Sequence, residues 1–354
     1  MSNKTQQELA LNYPFNDDMP ATGAVMTVAP GIKWVRMPLP FALNHINLWL
    51  LEDQFQGKDG WAIVDTGVAT PEIRAAWELV LANALEGKPI TRMIVTHMHP
   101  DHVGNANWLQ QKLGVPLFMS LTDYAMSRSM LAKPTGSGGV QAAAHFEVHG
   151  MASGKDLAKI AERGNYYGSM VDGLPDSMHR LLDGHFLQIG AHRWRLDVGY
   201  GHAPEHMSLY CEALNVAISG DMLLPRISTN ISVWDMEPEA NPLPLFLSSL
   251  AVYEALPASV LVLPSHGKPF TGAHERVAQL REHHRDRLAE LLDACRTVPC
   301  TAADACKVLF KRELDLHQMS FAMGEALAHL NALWHDGQVL RSRNAAGAWA
   351  FAAA

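Results

Sequence analysis

The chain has 354 residues, 48% hydrophobic and 18% charged, with 36 acidic against 28 basic side chains and a formal net charge of −8. That length makes room for about two domains, and the acidic balance excludes a protein that coats nucleic acid through a basic surface. Histidine stands out at 18 residues, while the 4 cysteines are too few for a disulfide scaffold and lack the paired C-x₂-C spacing of a zinc knuckle.

Residues 1–24 read as a polar N-terminal arm containing Pro14 and Pro20. Strand-like stretches follow at 32–37, 46–51 and 61–64, the last two joined by a polar turn through Gly57 and Gly60, a hairpin signal. Residues 71–85 carry Ile73, Trp77, Val80, Leu81 and Leu85 at helical spacing, and Pro71 suits a first helical turn. A buried strand at 90–95 precedes a helix at 105–113 that stops at Gly114. From about 120 to 182 the chain predicts a helical insert without strands, rich in methionine (Met126, Met130, Met151, Met170 and Met178). These read equally as a lid over a substrate or as ordinary helix core. The Gly-Ser-Gly-Gly segment at 136–139 reads as a hinge or a surface loop.

Strands resume at 185–189, 193–198, 207–211, 216–219 and 260–263. Strand and helix in alternation, after hairpins, indicate a layered α/β domain over 25–272. In 273–354 the pattern is a long amphipathic helix at 274–295, a capping box at Thr301 and Asp304, a helix at 320–335, and strands at 338–341 and 348–351. Helix, helix and hairpin outline a winged-helix-like domain. From 280 to 354 nine Lys and Arg meet nine Asp and Glu, so it reads as a packing or homodimer element with no nucleic-acid footprint.

No apolar run of about 18 residues suggests a membrane span, and MSNKTQQELALNYPFNDD lacks the apolar stretch of a secretory signal. A cytoplasmic location is the expectation.

The strongest chemical signal is Thr96-His97-Met98-His99-Pro100-Asp101-His102, where a strand has ended and a helix has not begun. Three imidazoles and a carboxylate at this spacing suit zinc, with iron or manganese as alternatives. His202 after Gly201, Asp221 after Gly220 and His266 after Ser265 each stand just past a predicted strand, where α/β folds gather their sites.

The ordered series H-x-H-x-D-H, G-H, G-D and S-H-G resembles the metallo-β-lactamase superfamily over residues 25–272. The resemblance implies a four-layered αββα sandwich with two divalent metal ions between its sheets. His97, His99 and His202 would hold the first, Asp101, His102 and His266 the second, and Asp221 would bridge both. GHAPEHMSLY, SGDMLLPRIS and the winged-helix-like tail resemble the glyoxalase-II-like and mammalian β-lactamase-like-protein-2 hydrolases, although Glu205 stands where many relatives have glycine. The implied activity is hydrolysis of an ester, thioester or lactone by a metal-bridging hydroxide that Asp101 orients. His99 sits where the oxygen-reducing diiron relatives have an acid, which disfavours redox chemistry. A phosphodiesterase or ribonuclease of the same fold is the alternative, and a β-lactamase is ranked below both.

Asp65, at the end of a strand, is expected to hold a ligand imidazole by its second nitrogen. Its Asp-Thr-Gly also matches an aspartic-protease fragment, but no second copy exists. Asn47 and His45 lie on an early strand that approaches the site. Arg226, Lys268 and His206 are candidates to receive a small-molecule substrate.

Overall fold

Alternation of apolar side chains along short strands builds the first sheet. In the computed structural model, which describes residues 10–41, 43–133 and 138–354, β1 (Val25–Ala29), β2 (Ile32–Pro38), β3 (His45–Phe55) and β4 (Lys58–Val64) form an antiparallel meander. Helix α1 (Pro71–Asn83) then crosses over to β5 (Ile90–Ile94), which pairs parallel with β4. Parallel neighbours require such a crossover, and α2 (Pro100–Val103) with α3 (Ala106–Leu113) provides the next one, to β6 (Leu117–Met119). Thr70 caps α1 by accepting from the Ile73 N–H at 3.3 Å, and α3 ends at the left-handed Gly114. Helix α4 (Leu121–Ala132) follows, and then α5 (Val140–Val148) and α6 (Gly154–Glu162).

The stretch expected to lack strands contributes one. β7 (His179–Arg180) pairs with β6 and completes a seven-stranded sheet ordered β1 to β7. At two residues it is too short for a period of two to show. The second sheet holds β8 (Phe186–Ile189), β9 (His192–Gly199), β10 (His206–Cys211), β11 (Val216–Gly220) and β12 (Leu261–Pro264), in the order β12-β11-β10-β9-β8. Only β11 and β12 pair parallel in it. Between them run α7 (Pro242–Ser249) and α8 (Ala251–Glu254), which the sequence reading missed. Pro242 and Pro244 look like loop residues, yet both fall in a first helical turn, where proline is tolerated.

Strand pleat sorts the core. Trp34, Trp49, Ala62 and Val64 face Trp194, Leu196, Met207 and Leu209 of the other sheet, with Trp34 and Trp49 stacked at 6.2 Å. The opposite faces present Val35, Leu48, Leu50 and Ile63 to Ile73, Trp77 and Val80 of α1. Each such fully buried large side chain contributes about 1.5–3 kcal/mol. Met126, Met130, Met170 and Met178 pack against this outer cluster, so they fit the core reading rather than the lid.

The described part of the expected arm is tied down. Leu11 is buried, Phe15 packs on the inter-sheet core, and Asn12 exchanges both backbone hydrogen bonds with Thr271 (3.2 and 2.9 Å). Its apolar residues, few but regularly placed, find a core to join.

Contacts divide the chain into two compact units. The first comprises residues 1–131, 167–229 and 250–277 and contains both large sheets. The second comprises 132–166, 230–249 and 278–354. It therefore takes α5, α6 and α7 from the stretch that the sequence reading placed in 25–272. It also holds most of α9 (Ala273–Thr297), α10 (Ala302–Leu309), α11 (Leu316–His335) and the hairpin of β13 (Val339–Arg343) and β14 (Trp349–Ala353). The capping box of Thr301 and Asp304 opens α10 as expected, and a second box, Asp315 with Gln318, starts α11 at Leu316 rather than at 320. Of the segment 136–139, residues 136 and 137 lie outside the described residues. Among the described residues no helix is long and apolar enough to cross a membrane.

Candidate metal centre

The site forms where strands of both sheets run out. β5 ends at Ile94 and α2 begins at Pro100, and His99 still has extended backbone (φ −64°, ψ 148°) at the helix N-cap. His97 and His99 therefore alternate as in a strand, while Asp101 and His102 already turn with the helix. That change of backbone lets all four side chains converge. At this end the backbone also joins the sheets. Met207 N–H donates to Thr96 O at 2.8 Å, and Asn47 N–H to Ser265 O at 2.7 Å.

Two adjoining sets of ligand atoms result, each lying within 4.8 Å of one another: His97, His99, His202 and Asp221, and Asp101, His102 and His266. His97 Nε2 lies 2.9 Å from His99 Nδ1 and 3.2 Å from His202 Nε2. His202 Nε2 is 3.3 Å from Asp221 Oδ2. In the second set His266 Nε2 lies 3.3 Å from Asp101 Oδ2 and 3.5 Å from Asp221 Oδ1, and His102 Nε2 lies 3.6 Å from Asp221 Oδ2. Asp221 thus touches both sets.

Asp65 stands where the sequence reading put it. It is buried, and its Oδ2 accepts from His102 Nδ1 at 2.8 Å while its Oδ1 accepts from Thr96 N–H at 2.8 Å. Its own backbone is left-handed (φ +61°), a conformation that aspartate and asparagine adopt more readily than most residues. Asn47 holds the other side. Its Nδ2 donates to Pro264 O (2.8 Å) and Gly267 O (2.9 Å), bracketing His266, and its Oδ1 accepts from Trp34 Nε1 at 2.8 Å. His45 backs the same loop: its carbonyl accepts from His266 Nδ1 and its Nε2 from Gly267 N–H, both at 2.8 Å. These bonds leave the Nε2 atoms of His102 and His266 aimed at the cluster.

The sequence reading missed Asp123 and Tyr167. Buried Asp123 accepts from Met98 N–H (2.9 Å) and Glu205 N–H (2.7 Å), so it bridges the first ligand loop to the one after His202. Burial raises its pKa to about 6, against the pull of those N–H bonds. Tyr167 OH donates to Met98 O at 2.5 Å. A signal for Asp123 was present in Ser120-Leu121-Thr122-Asp123, which has capping-box spacing.

The three substrate candidates lie outside both ligand sets. His206 is fully buried on β10, and its Nε2 accepts from Asp221 N–H at 3.0 Å, so it supports the backbone of Asp221. Lys268 reaches Asn16 O (2.7 Å) and Asp17 Oδ1 (2.5 Å), because the N-terminal segment lies beside it. Arg226 is exposed on the loop after β11, outside both sets.

Burial pushes His97 and His206 well below the usual imidazole range and His99 down to about 3, with neighbouring imidazoles adding to the effect. For His266, burial is outweighed by Asp221 and Asp101, and the pKa rises to about 10. His102 likewise goes well above its ordinary value, as Asp65, Asp101 and Asp221 overcome burial. The same partners, His102 and His266, overcome burial at Asp101 and hold its pKa down to about 2. The cluster therefore combines lone pairs kept free of protons with carboxylates that demand positive charge. A divalent cation satisfies both demands at once, displacing the protons. Two buried atoms fit that occupant: His102 Nε2 and Asp221 Oδ1 face the cluster without a hydrogen-bond partner. The residues present fit metal ions.

A two-sheet sandwich with a histidine and aspartate cluster at its strand ends defines a metal-dependent hydrolase. Residues 43–266 match the metallo-beta-lactamase superfamily model, and residues 288–354 match the metallo-beta-lactamase-like C-terminal domain. The chain belongs to the metallo-beta-lactamase superfamily. It is similar to a beta-lactamase domain protein of known structure from Burkholderia ambifaria, at 48% identity over 99% of this chain and 100% of that one, with a TM-score of 0.94. Among curated proteins it is 24% identical over 305 residues to the probable metallo-hydrolase YqjP of Bacillus subtilis (84% of this chain, 91% of that protein). It is 25% identical over 254 residues to the linear primary-alkylsulfatase of a Pseudomonas species (67% of this chain, 45% of that protein).

Proposed function

We propose that the chain is a dinuclear hydrolase of ester, thioester or lactone substrates, with zinc as the first metal to test. The observation that carries this reading is the pair of adjoining ligand sets, with Asp221 of the first lying 3.5–3.6 Å from His266 and His102 of the second, and with His102 Nε2 and Asp221 Oδ1 buried without a hydrogen-bond partner. Divalent cations bound there supply Lewis acidity and bring the pKa of a coordinated water towards neutrality. The chain's own part is positional. Asp65, His45 and Asn47 fix the ring orientations, and His206 fixes the backbone of Asp221. Asp101 has the more open carboxylate of the two in the cluster, 19% accessible against 10% for Asp221. Its Oδ2 is therefore the atom assigned to orient the attacking water and accept its proton.

GHAPEHMSLY and SGDMLLPRIS support placing the chain beside glyoxalase-II-like hydrolases. A second reading, cleavage of sulfate esters, is supported by the name of the alkylsulfatase relative. The test is to strip metal with a chelator and reload zinc, manganese or iron. Hydrolysis of esters, thioesters, lactones, a p-nitrophenyl sulfate and a chromogenic cephalosporin is then assayed. Activity is expected to vanish on stripping, to return on reloading and to fall at least about a hundredfold in Asp101→Ala. Undiminished activity in that variant overturns the role of Asp101, and activity indifferent to chelation overturns the metal mechanism.

A further inference from the structure

Resting on the hydrolase reading, we propose that Arg36 is the receptor for an oxyanion on the substrate, remote from the bond that is cleaved. On β2, Ile32, Trp34 and Arg36 share one face of the strand, and Ile32 and Trp34 belong to the core between the sheets. Arg36 therefore projects between the sheets as well. It does so at the end where the metal ligands gather, since it pairs in register with Asn47, and Pro38 pairs with His45. The His45 ring lies 6.1 Å from that of His266 and feels the charge of Arg36.

What sets Arg36 apart is the lack of an answer to its charge. Its Nη1 is buried and meets no hydrogen-bond acceptor among the described residues. Burial lowers its pKa, and no acidic neighbour offsets that. By contrast Arg92, on the same sheet, is matched by Asp53 in a bond of 2.6 Å. A guanidinium nitrogen held out of water without a partner is costly, and removing it is expected to help stability unless a ligand answers it.

The missing partner is an anion that arrives with the substrate. A planar fork of N–H donors suits a carboxylate or another oxyanion. Because Arg36 belongs to neither ligand set, and the group that feels its charge is His45, whose ring neighbours that of His266 at the edge of the second set, that anion sits away from the reacting group. The substrate class is thus an acyl compound carrying a second, ionised group, such as the half-ester of a dicarboxylic acid.

The experiment uses the full chain with Arg36→Gln and Arg36→Lys. Succinate is titrated calorimetrically into metal-free and zinc-loaded protein. Kinetics compare mono-p-nitrophenyl succinate, neutral p-nitrophenyl acetate and p-nitrophenyl sulfate. Arg36→Gln is expected to weaken succinate binding about ten- to hundredfold with or without zinc, the scale of a charge-assisted hydrogen bond. The preference for the charged ester over the neutral one falls by a similar factor, through KM rather than kcat. Arg36→Lys falls in between, keeping the charge and losing the fork. Arg36→Gln also melts at or above the wild-type temperature. A lower melting temperature would mark a structural arginine and overturn the proposal, as would succinate binding equal to wild type or absent from wild type. A loss confined to the sulfate ester puts the anion on the scissile group and overturns the remote placement. If succinate binds through Arg36 while no ester, thioester, lactone or sulfate ester is cleaved by the metal-loaded protein, the hydrolase reading fails and the receptor stands.

Discussion

Replacing Asp65 by asparagine leaves shape and backbone nearly untouched and turns one acceptor into a donor. Asparagine tolerates the left-handed conformation at φ +61° as aspartate does, so no backbone strain is added. In the wild type both carboxylate oxygens accept, Oδ1 from Thr96 N–H and Oδ2 from His102 Nδ1 and Thr96 Oγ1 (2.9 Å). An amide has one oxygen to offer. Turned towards Thr96, it presents its NH₂ to His102 Nδ1, which must then shed its hydrogen and move it to Nε2, the atom that faces the cluster. Turned towards His102, it sets two donors against each other at Thr96, at a cost of about 1–3 kcal/mol. Either way the imidazole is a poorer ligand, and metal affinity is expected to fall about 10- to 100-fold. That corresponds to roughly 1.4–2.7 kcal/mol. Competition with a chromophoric zinc chelator near neutral pH measures it, with bound zinc counted in parallel. An affinity within about threefold of wild type, at unchanged stoichiometry, would refute the claim that Asp65 sets the tautomer of His102.

Gly220→Ala places a methyl group against the His206 ring at a position of φ +53°, so strain and collision together should cost about 2–5 kcal/mol and displace Asp221. A melting temperature unchanged from wild type would refute this. Asn47→Ala strands the buried Trp34 Nε1–H and frees the carbonyls of Pro264 and Gly267, an expected loss of about 2–4 kcal/mol by urea denaturation. Glu325 on α11 is raised from 4.5 to about 7, chiefly by burial. A raised pKa contributes stability that is present below the unfolded value and lost as pH climbs through the folded one. The stability of wild type relative to Glu325→Gln should therefore drop, by on the order of 2 kcal/mol, between about pH 4.5 and pH 8. Denaturation curves for both proteins at the two ends of that window test it, and parallel curves would contradict it.

What could be read in advance depended on whether a signal was local. The loop from His97 to His102 carries its chemistry in its spacing, and His202, Asp221 and His266 announce themselves by standing at strand ends. Asp65 was legible for the same reason. His206 was not, because its role depends on β10 beginning at that residue and burying it behind Asp221. Nothing near Lys268 in sequence reveals that Asn16 and Asp17 will lie against it. Arg36 is one of two basic residues, with Lys33, in an otherwise apolar strand, and the two point to opposite faces, so periodicity cannot say which face meets solvent. His145 and His149 are both buried in the second unit, where their rings approach to 4.7 Å, and nothing in their local sequence marks that burial. β6 and β7, at three and two residues, are shorter than any pattern can resolve.

The bonds between Asn12 and Thr271 set an order of events during synthesis. Strands β1 to β4 are contiguous in sequence and can pair as soon as they leave the ribosome. The N-terminal segment has no place to settle until residue 271 emerges, and His266, the last donor of the cluster, emerges only a few residues earlier. Such distant contacts close late, because the long loop between them must first be ordered. The nascent chain thus carries an unfinished metal site until His266 is made, and completes it almost at the moment Asn12 can meet Thr271. Asn12, which precedes every strand of its unit, is among the last residues there to find a partner.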